Sequence, residues 1–118
     1  HNGGTATLTN TTVSGNVTGV ENHGDMTLTN STISGNGTGV ANQGGNAKLI
    51  NVTLSGNDTG VAHTTTGGTR LFNVTLSGNG TALSTTVTGL VTLANTLVAN
   101  STTANCSGSV ENDGHNLD

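Results

Sequence analysis

A thirteen-residue phrase, Leu-Thr-Asn-Ser-Thr-Ile-Ser-Gly-Asn-Gly-Thr-Gly-Val at Leu28 to Val40, sets the terms for this chain. It runs also from Leu8 to Val20, from Leu49 to Val61, in looser form from Leu71 to Leu83, and in degraded form from Leu93 to Ala104. The first Asn of each copy falls at Asn10, Asn30, Asn51, Asn73 and Asn95, 20 to 22 residues apart. A unit that short cannot bury an apolar face alone, so the copies must stack on one another. With 30% hydrophobic and 1% aromatic residues, the composition borders on that of disordered chains. The apolar residues nevertheless return at fixed points of every copy, which an unfolded polar chain has no reason to maintain.

Each copy holds three short alternating segments. Ser-Gly-Asn separates two of them, and Asn-Gly-Gly or Thr-Gly-Gly closes the third. Thr, Val, Gly and Asn dominate and form helix poorly. Three strands and three turns per copy describe one coil of a parallel β-solenoid, with coils about 4.8 Å apart and a rod roughly 26 Å long. A propeller blade would need about 40 residues. The inward columns expected are Leu8/Leu28/Leu49/Leu71/Leu93, Val13/Ile33/Leu54/Leu76/Val98 and Val20/Val40/Val61/Leu83/Ala104.

The phrase Leu-x-Asn-x-Thr-Ile-Ser-Gly-Asn, then Gly-Val, then Asn-x-Gly-Gly, resembles the right-handed parallel β-helix repeats of secreted bacterial and archaeal surface proteins. These are the pectate-lyase-like repeats also found in polymorphic outer-membrane adhesins. The stretches Leu93–Asn100, Asn105–Gly108 and Gly114–Leu117 resemble the end of such a block. The adhesin pattern carries Phe where this chain has Val13, Ile33, Leu54 and Leu76. The resemblance implies an all-β, right-handed parallel β-helix of about five to six coils, with three short strands per coil. It also implies an extracellular or cell-surface location, and a second Cys that often follows the Asn-Cys-Ser-Gly segment. The expected organisation is one repeat domain over residues 1–105, with an irregular segment at 106–118 closing the last coil. The chain opens in mid-repeat and holds a lone Cys106, as expected of a segment or processed product of a longer protein.

Several columns are candidates for function. Asn10, Asn30, Asn51, Asn73 and Asn95 are expected to point into a corner as an amide ladder. Asn16, Asn36, Asn57, Asn79 and Asn100 each begin Asn-x-Ser/Thr at a turn and are the glycosylation candidates. Thr9, Thr29, Ile50, Phe72 and Ala94 precede the ladder Asn, and Thr11, Ser31, Val52, Val74 and Thr96 follow it. Both rows are expected to face outward, so that Ile50, Val52, Phe72 and Val74 form an apolar ridge for self-association. Thr12/Ser14, Thr32/Ser34, Thr53/Ser55 and Thr75/Ser77 make one hydroxyl strip; Thr18, Thr38, Thr59, Thr81 and Thr102 make another.

Charge narrows the classes of function. With two basic residues and a formal net charge of -4, nucleic acid is not an expected partner, and no apolar run is long enough for membrane insertion. Catalysis on a polysaccharide would call for clustered carboxylates. Glu21, Asp25, Asp58, Glu111, Asp113 and Asp118 do not recur on one face. His23 and His63 fall near one corner, two coils apart, and Lys48 stacks with Arg70. The expectation is a non-enzymatic structural or adhesive module with no cofactor and no metal. Its partners would be copies of itself, the remainder of a longer chain, or glycans. The alternatives are an ice-binding solenoid using the Thr/Ser ladders and a carbohydrate-binding or polysaccharide-cleaving fragment.

Overall fold

A computed structural model describes residues 1–87 and 90–118. The first coil is β1 (Thr5–Thr9), β2 (Thr12–Ser14) and β3 (Thr18–Asn22). The second is β4 (Asp25–Thr29), β5 (Thr32–Ser34) and β6 (Thr38–Asn42), and the third is β7 (Ala47–Ile50), β8 (Thr53–Ser55) and β9 (Thr59–His63). The fourth is β10 (Thr69–Phe72), β11 (Thr75–Ser77) and β12 (Thr81–Thr85), and the fifth is β13 (Val91–Ala94), β14 (Leu97–Ala99) and β15 (Ala104–Ser107). A further strand, β16 (Glu111–Asn112), starts the next turn. Among the described residues there is no helix.

Every strand pairs in parallel with its counterpart in the neighbouring coil, giving three sheets: β1-β4-β7-β10-β13-β16, β2-β5-β8-β11-β14 and β3-β6-β9-β12-β15. The molecule is a parallel β-solenoid of about five coils, measuring 32 × 29 × 22 Å. Identical residues stack, as in Leu28↔Leu49, Leu49↔Leu71 and Leu71↔Leu93. The second column stacks Ile33 on Leu54 and Leu76 on Val98. The third stacks Val40 on Val61 and Val61 on Leu83. These side chains close a single apolar core.

Two corners of the coil need left-handed backbone. Asn10, Asn30, Asn51, Asn73 and Asn95 take φ between 49° and 55°, a region open to Asn at little cost. Gly15, Gly35, Gly56 and Gly78 do the same in the Ser-Gly-Asn corner, with φ between 62° and 71°. The third corner absorbs the differences in repeat length: two residues separate β3 from β4, four separate β6 from β7 and five separate β9 from β10.

The left-handed Asn corner overturns one expected face. Alternation along a strand holds only while the backbone stays extended. At Asn51 the chain turns, so Ile50 and Asn51 lie outside in succession and Val52 comes back inside. Val52 and Val74 are each 1% exposed and belong to the core, as do Ser31 and Thr96 in the same column. The four-residue ridge of Ile50, Val52, Phe72 and Val74 therefore does not exist. Only Ile50 and Phe72, register partners on the outer face of the first sheet, remain partly exposed.

The C-terminal segment also differs from expectation. Thr81 pairs with Ala104 and Leu83 with Cys106, so Cys106 rather than Ala104 continues the Val20/Val40/Val61/Leu83 column, and Ala104 rather than Thr102 continues the Thr18/Thr38/Thr59/Thr81 strip. The expected boundary at residue 105 falls inside β15. Residues 106–118 continue the solenoid: Glu111 and Asn112 pair with Thr92 and Leu93, and Leu117 bridges to Leu97.

The corner geometry makes a direct prediction. Val52→Asp places an unpaired charge in an apolar core and costs at least about 3 kcal/mol, whereas Ile50→Asp two residues away costs less than about 1 kcal/mol. Urea denaturation of both variants decides it; equal losses contradict the corner.

Candidate functional site: three side-chain ladders and an outer face

The corners stack three columns of polar side chains. The first is the Asn-x-Ser/Thr column at the Ser-Gly-Asn corner. Once Gly35, Gly56 or Gly78 has turned the backbone, the following Asn points inward, and Asn36, Asn57 and Asn79 are 3%, 2% and 0% exposed. Asn57 uses its whole amide. Its Oδ1 accepts from the backbone N–H of Asn36 and from Asn36 Nδ2, both at 3.0 Å. Its Nδ2 donates to Asn79 Oδ1 at 3.0 Å and to the Ile33 carbonyl at 3.1 Å. The pattern repeats from Asn16 to Asn36 and from Asn79 to the Leu54 carbonyl. Each amide thus satisfies a corner backbone group that would otherwise be buried without a partner.

This reverses two assignments. Asn36, Asn57 and Asn79 were glycan candidates; in the folded rod their amide nitrogens are buried and engaged, so they cannot take a glycan there. Asn16 and Asn100 are exposed. The column expected to point inward, Asn10, Asn30, Asn51, Asn73 and Asn95, is exposed instead. It does form a ladder, on the outside: Asn51 Nδ2 donates to Asn30 Oδ1 and Asn73 Nδ2 to Asn51 Oδ1, both at 3.1 Å, and Asn95 Nδ2 donates to Asn73 Oδ1. The left-handed backbone that suits Asn at this corner also aims its side chain at solvent.

The third column lies at the variable corner; the sequence aligns Asn2, Asn22 and Asn42 there, but their ladder was not read from it, because His63 and Thr85 take the place in the next coils. Asn2 Nδ2 donates to Asn22 Oδ1, and Asn22 Nδ2 to Asn42 Oδ1, each at 2.8 Å. Asn42 Nδ2 continues to His63 Nδ1 at 3.3 Å and to Thr69 Oγ1 at 3.0 Å, and Thr69 Oγ1 lies 3.0 Å from His63 Nδ1. Asn22, Asn42, His63 and Thr69 are each fully buried. The His63 ring joins this network through Nδ1 and not through Nε2. That Nε2 has no hydrogen-bond partner. Burial pushes the His63 pKa below the ordinary imidazole value, opposed in part by the Thr65 backbone.

On the outer faces, Thr12/Thr32/Thr53/Thr75 and Ser14/Ser34/Ser55/Ser77 stand in register, and Leu97 and Ala99 end both rows. Lys48 and Arg70, register partners on the first sheet, line a groove of about 380 Å³ with Asn46, Ala47 and Gly68. Lys48 Nζ lies 5.6 Å from the Phe72 ring centroid. His23 is outside and His63 inside, so the two rings do not meet. Asp25 Oδ1 accepts from the backbone N–H and the side-chain amide of Asn46, at 3.1 and 3.0 Å, which ties two coils together. Cys106 is a free, exposed thiol whose pKa is raised by partial desolvation and by the charge of Asp118.

The comparisons add no relative: the chain matches no family model, and neither a curated protein nor a solved structure matches it.

Two predictions follow from the ladders. Asn57→Leu strands the Asn36 N–H, the Asn36 amide and the Ile33 carbonyl, and costs about 3 kcal/mol or more. Asn51→Gly keeps the left-handed corner and loses only exposed bonds, so it costs about 1 kcal/mol or less; equilibrium unfolding of the pair checks the contrast. For His63, a folded pKa below the unfolded one means that the unfolded chain binds the proton first. Stability is then level above about pH 6.5, the ordinary imidazole value, and falls as pH drops below it toward the folded pKa. His63→Asn extends the amide column and removes that component of the fall, as urea midpoints between about pH 7.5 and about pH 5.5 will report.

Proposed function

We propose that this chain is a non-enzymatic structural and adhesive segment of an extracellular or cell-surface β-solenoid, continued along its axis by copies of itself or by further coils of a longer chain. The observation that carries this reading is that three side-chain columns are committed to holding coil on coil. A cross-section repeated at a fixed rise suits a rod that spaces and displays rows of groups. Two features favour continuation along the axis. Leu93, Val98, Val110 and Leu117, together with Cys106, Asn112, Asn116 and Asp118, line a cavity of about 170 Å³ at the fifth coil. Val17 of the first coil and Leu117 near the last are 89% and 67% exposed. The surface-protein repeats that the sequence resembles agree with this role.

A second reading, binding of an anionic glycan, is favoured by the Lys48/Arg70 groove. These are the only Lys and Arg of the chain, they lie side by side, and among the described residues neither forms a salt bridge. Phe72 lies beside them, with Lys48 Nζ over its ring. Binding of a sulfated or uronic oligosaccharide that weakens with salt and is lost in the Lys48→Ala/Arg70→Ala double variant supports this reading; unchanged binding contradicts it.

The structural reading is tested by light scattering and electron microscopy over a range of concentrations. Elongated particles with masses in multiples of 11.5 kDa, reduced to single units by Leu117→Asp, are expected. A lone 11.5 kDa species at every concentration contradicts continuation by copies of the chain, and turnover of a polysaccharide by the purified chain contradicts the non-enzymatic reading.

A further inference from the structure

The outer face of the third sheet carries a group of side chains that the ladders do not use. Glu21 and His23 flank the inward Asn22 and so point outward, and His1 stands beside Glu21 on the adjoining turn. The backbone fixes this juxtaposition. Asn2 bridges to Asn22 in parallel, the Asn2 N–H donates to the Glu21 carbonyl, and the His23 N–H donates to the Asn2 carbonyl, both at 2.7 Å. Glu21 Oε1 lies 2.9 Å from His23 Nε2, and Glu21 Oε2 lies 3.5 Å from His1 Nδ1. The two imidazole rings are 4.7 Å apart and tilted by 45°. One donor atom from each residue falls within 4.8 Å of the other two. Among the described residues, the Glu21 carboxylate bonds only to these two imidazoles.

We propose that His1, Glu21 and His23 form a binding site for a divalent transition-metal ion of the zinc type. Donor atoms held ~2.0–2.1 Å from a tetrahedral zinc ion lie about 3.3 Å from one another, so small rotations of exposed side chains bring this triad onto an ion. Two imidazoles and one carboxylate suit zinc, copper or nickel; calcium and magnesium take mainly oxygen ligands. Water fills the remaining positions, because both histidines are exposed. Among the described residues the site occurs once along the rod. In the next coil Ala41 pairs with Glu21 and Gln43 follows the Asn42 that pairs with Asn22, and in the third coil Ala62 and Thr64 stand at these places. An ion here joins adjoining turns from outside, at a point where the interior is already joined by Asn2 and Asn22.

The experiment is calorimetric titration of the whole chain with zinc chloride, with calcium chloride as the comparison. One zinc ion per chain and no calcium response are expected. Glu21→Ala and His23→Ala each weaken zinc binding at least about tenfold. Both side chains lie outside the core, and an unchanged far-UV circular dichroism spectrum verifies that each variant is folded. Zinc bound equally well by both variants places the ion elsewhere and overturns the site. So does the absence of any zinc response at millimolar concentration.

Discussion

The fold rests on amides that hydrogen-bond from coil to coil inside the rod. A solenoid with one phenylalanine and no tryptophan or tyrosine has thin apolar columns, one side chain per strand per coil. Such a core leaves its corners open, and at each corner a backbone N–H or carbonyl turns inward without a strand partner. Asn36, Asn57 and Asn79 meet that demand with a side chain that carries both donors and acceptors at the spacing of adjacent coils. An apolar residue of the same volume would fill the space and leave the backbone unpaired. The apolar columns supply the driving force, and the amide columns fix where each coil sits on the next.

The corners assign the faces. Left-handed Asn51 sets two successive residues outside and returns Val52 to the core; left-handed Gly56 returns Asn57 to the core. The same residue type thus serves opposite environments, exposed where it occupies the left-handed position and buried where glycine occupies it first. The third corner has no fixed length and absorbs the changes of repeat length among the first coils, whereas the fifth coil takes one extra residue between β14 and β15. Its inward residue runs Asn22, Asn42, His63 and Thr85, all buried, with His63 and its unpartnered Nε2 the least well accommodated.

The coil, its three strands and its apolar columns were legible in the sequence because Leu28, Ile33 and Val40 and their counterparts recur at fixed offsets. Which Asn column lay inside was not legible. Through the first four coils both columns read Asn-x-Ser/Thr, and only the backbone angle at each corner distinguishes them. The ridge through Val52 and Val74 failed for the same reason, since alternation was carried through a residue that is not extended. The column at Asn2, Asn22 and Asn42 repeats one letter every 20 residues, but His63 and Thr85 replace it in the next coils and its inward face was not legible, and the cluster of His1, Glu21 and His23 draws on adjoining turns that only the register aligns. The Lys48 and Arg70 stack was legible because both occupy the same offset before Leu49 and Leu71.

The central claim is that amide side chains inside the rod carry the coil-to-coil register. Solution NMR of the asparagine side chains tests it most directly, by the hydrogen exchange of each Nδ2 group. The account predicts that Asn22, Asn36, Asn42, Asn57 and Asn79 show dispersed side-chain amide resonances that exchange slowly, at rates approaching those of the strand backbone. Asn30 and Asn51 should exchange much faster despite their bonds to one another. Equal exchange across both groups, or protection of Asn30 and Asn51 in place of Asn36 and Asn57, would contradict it.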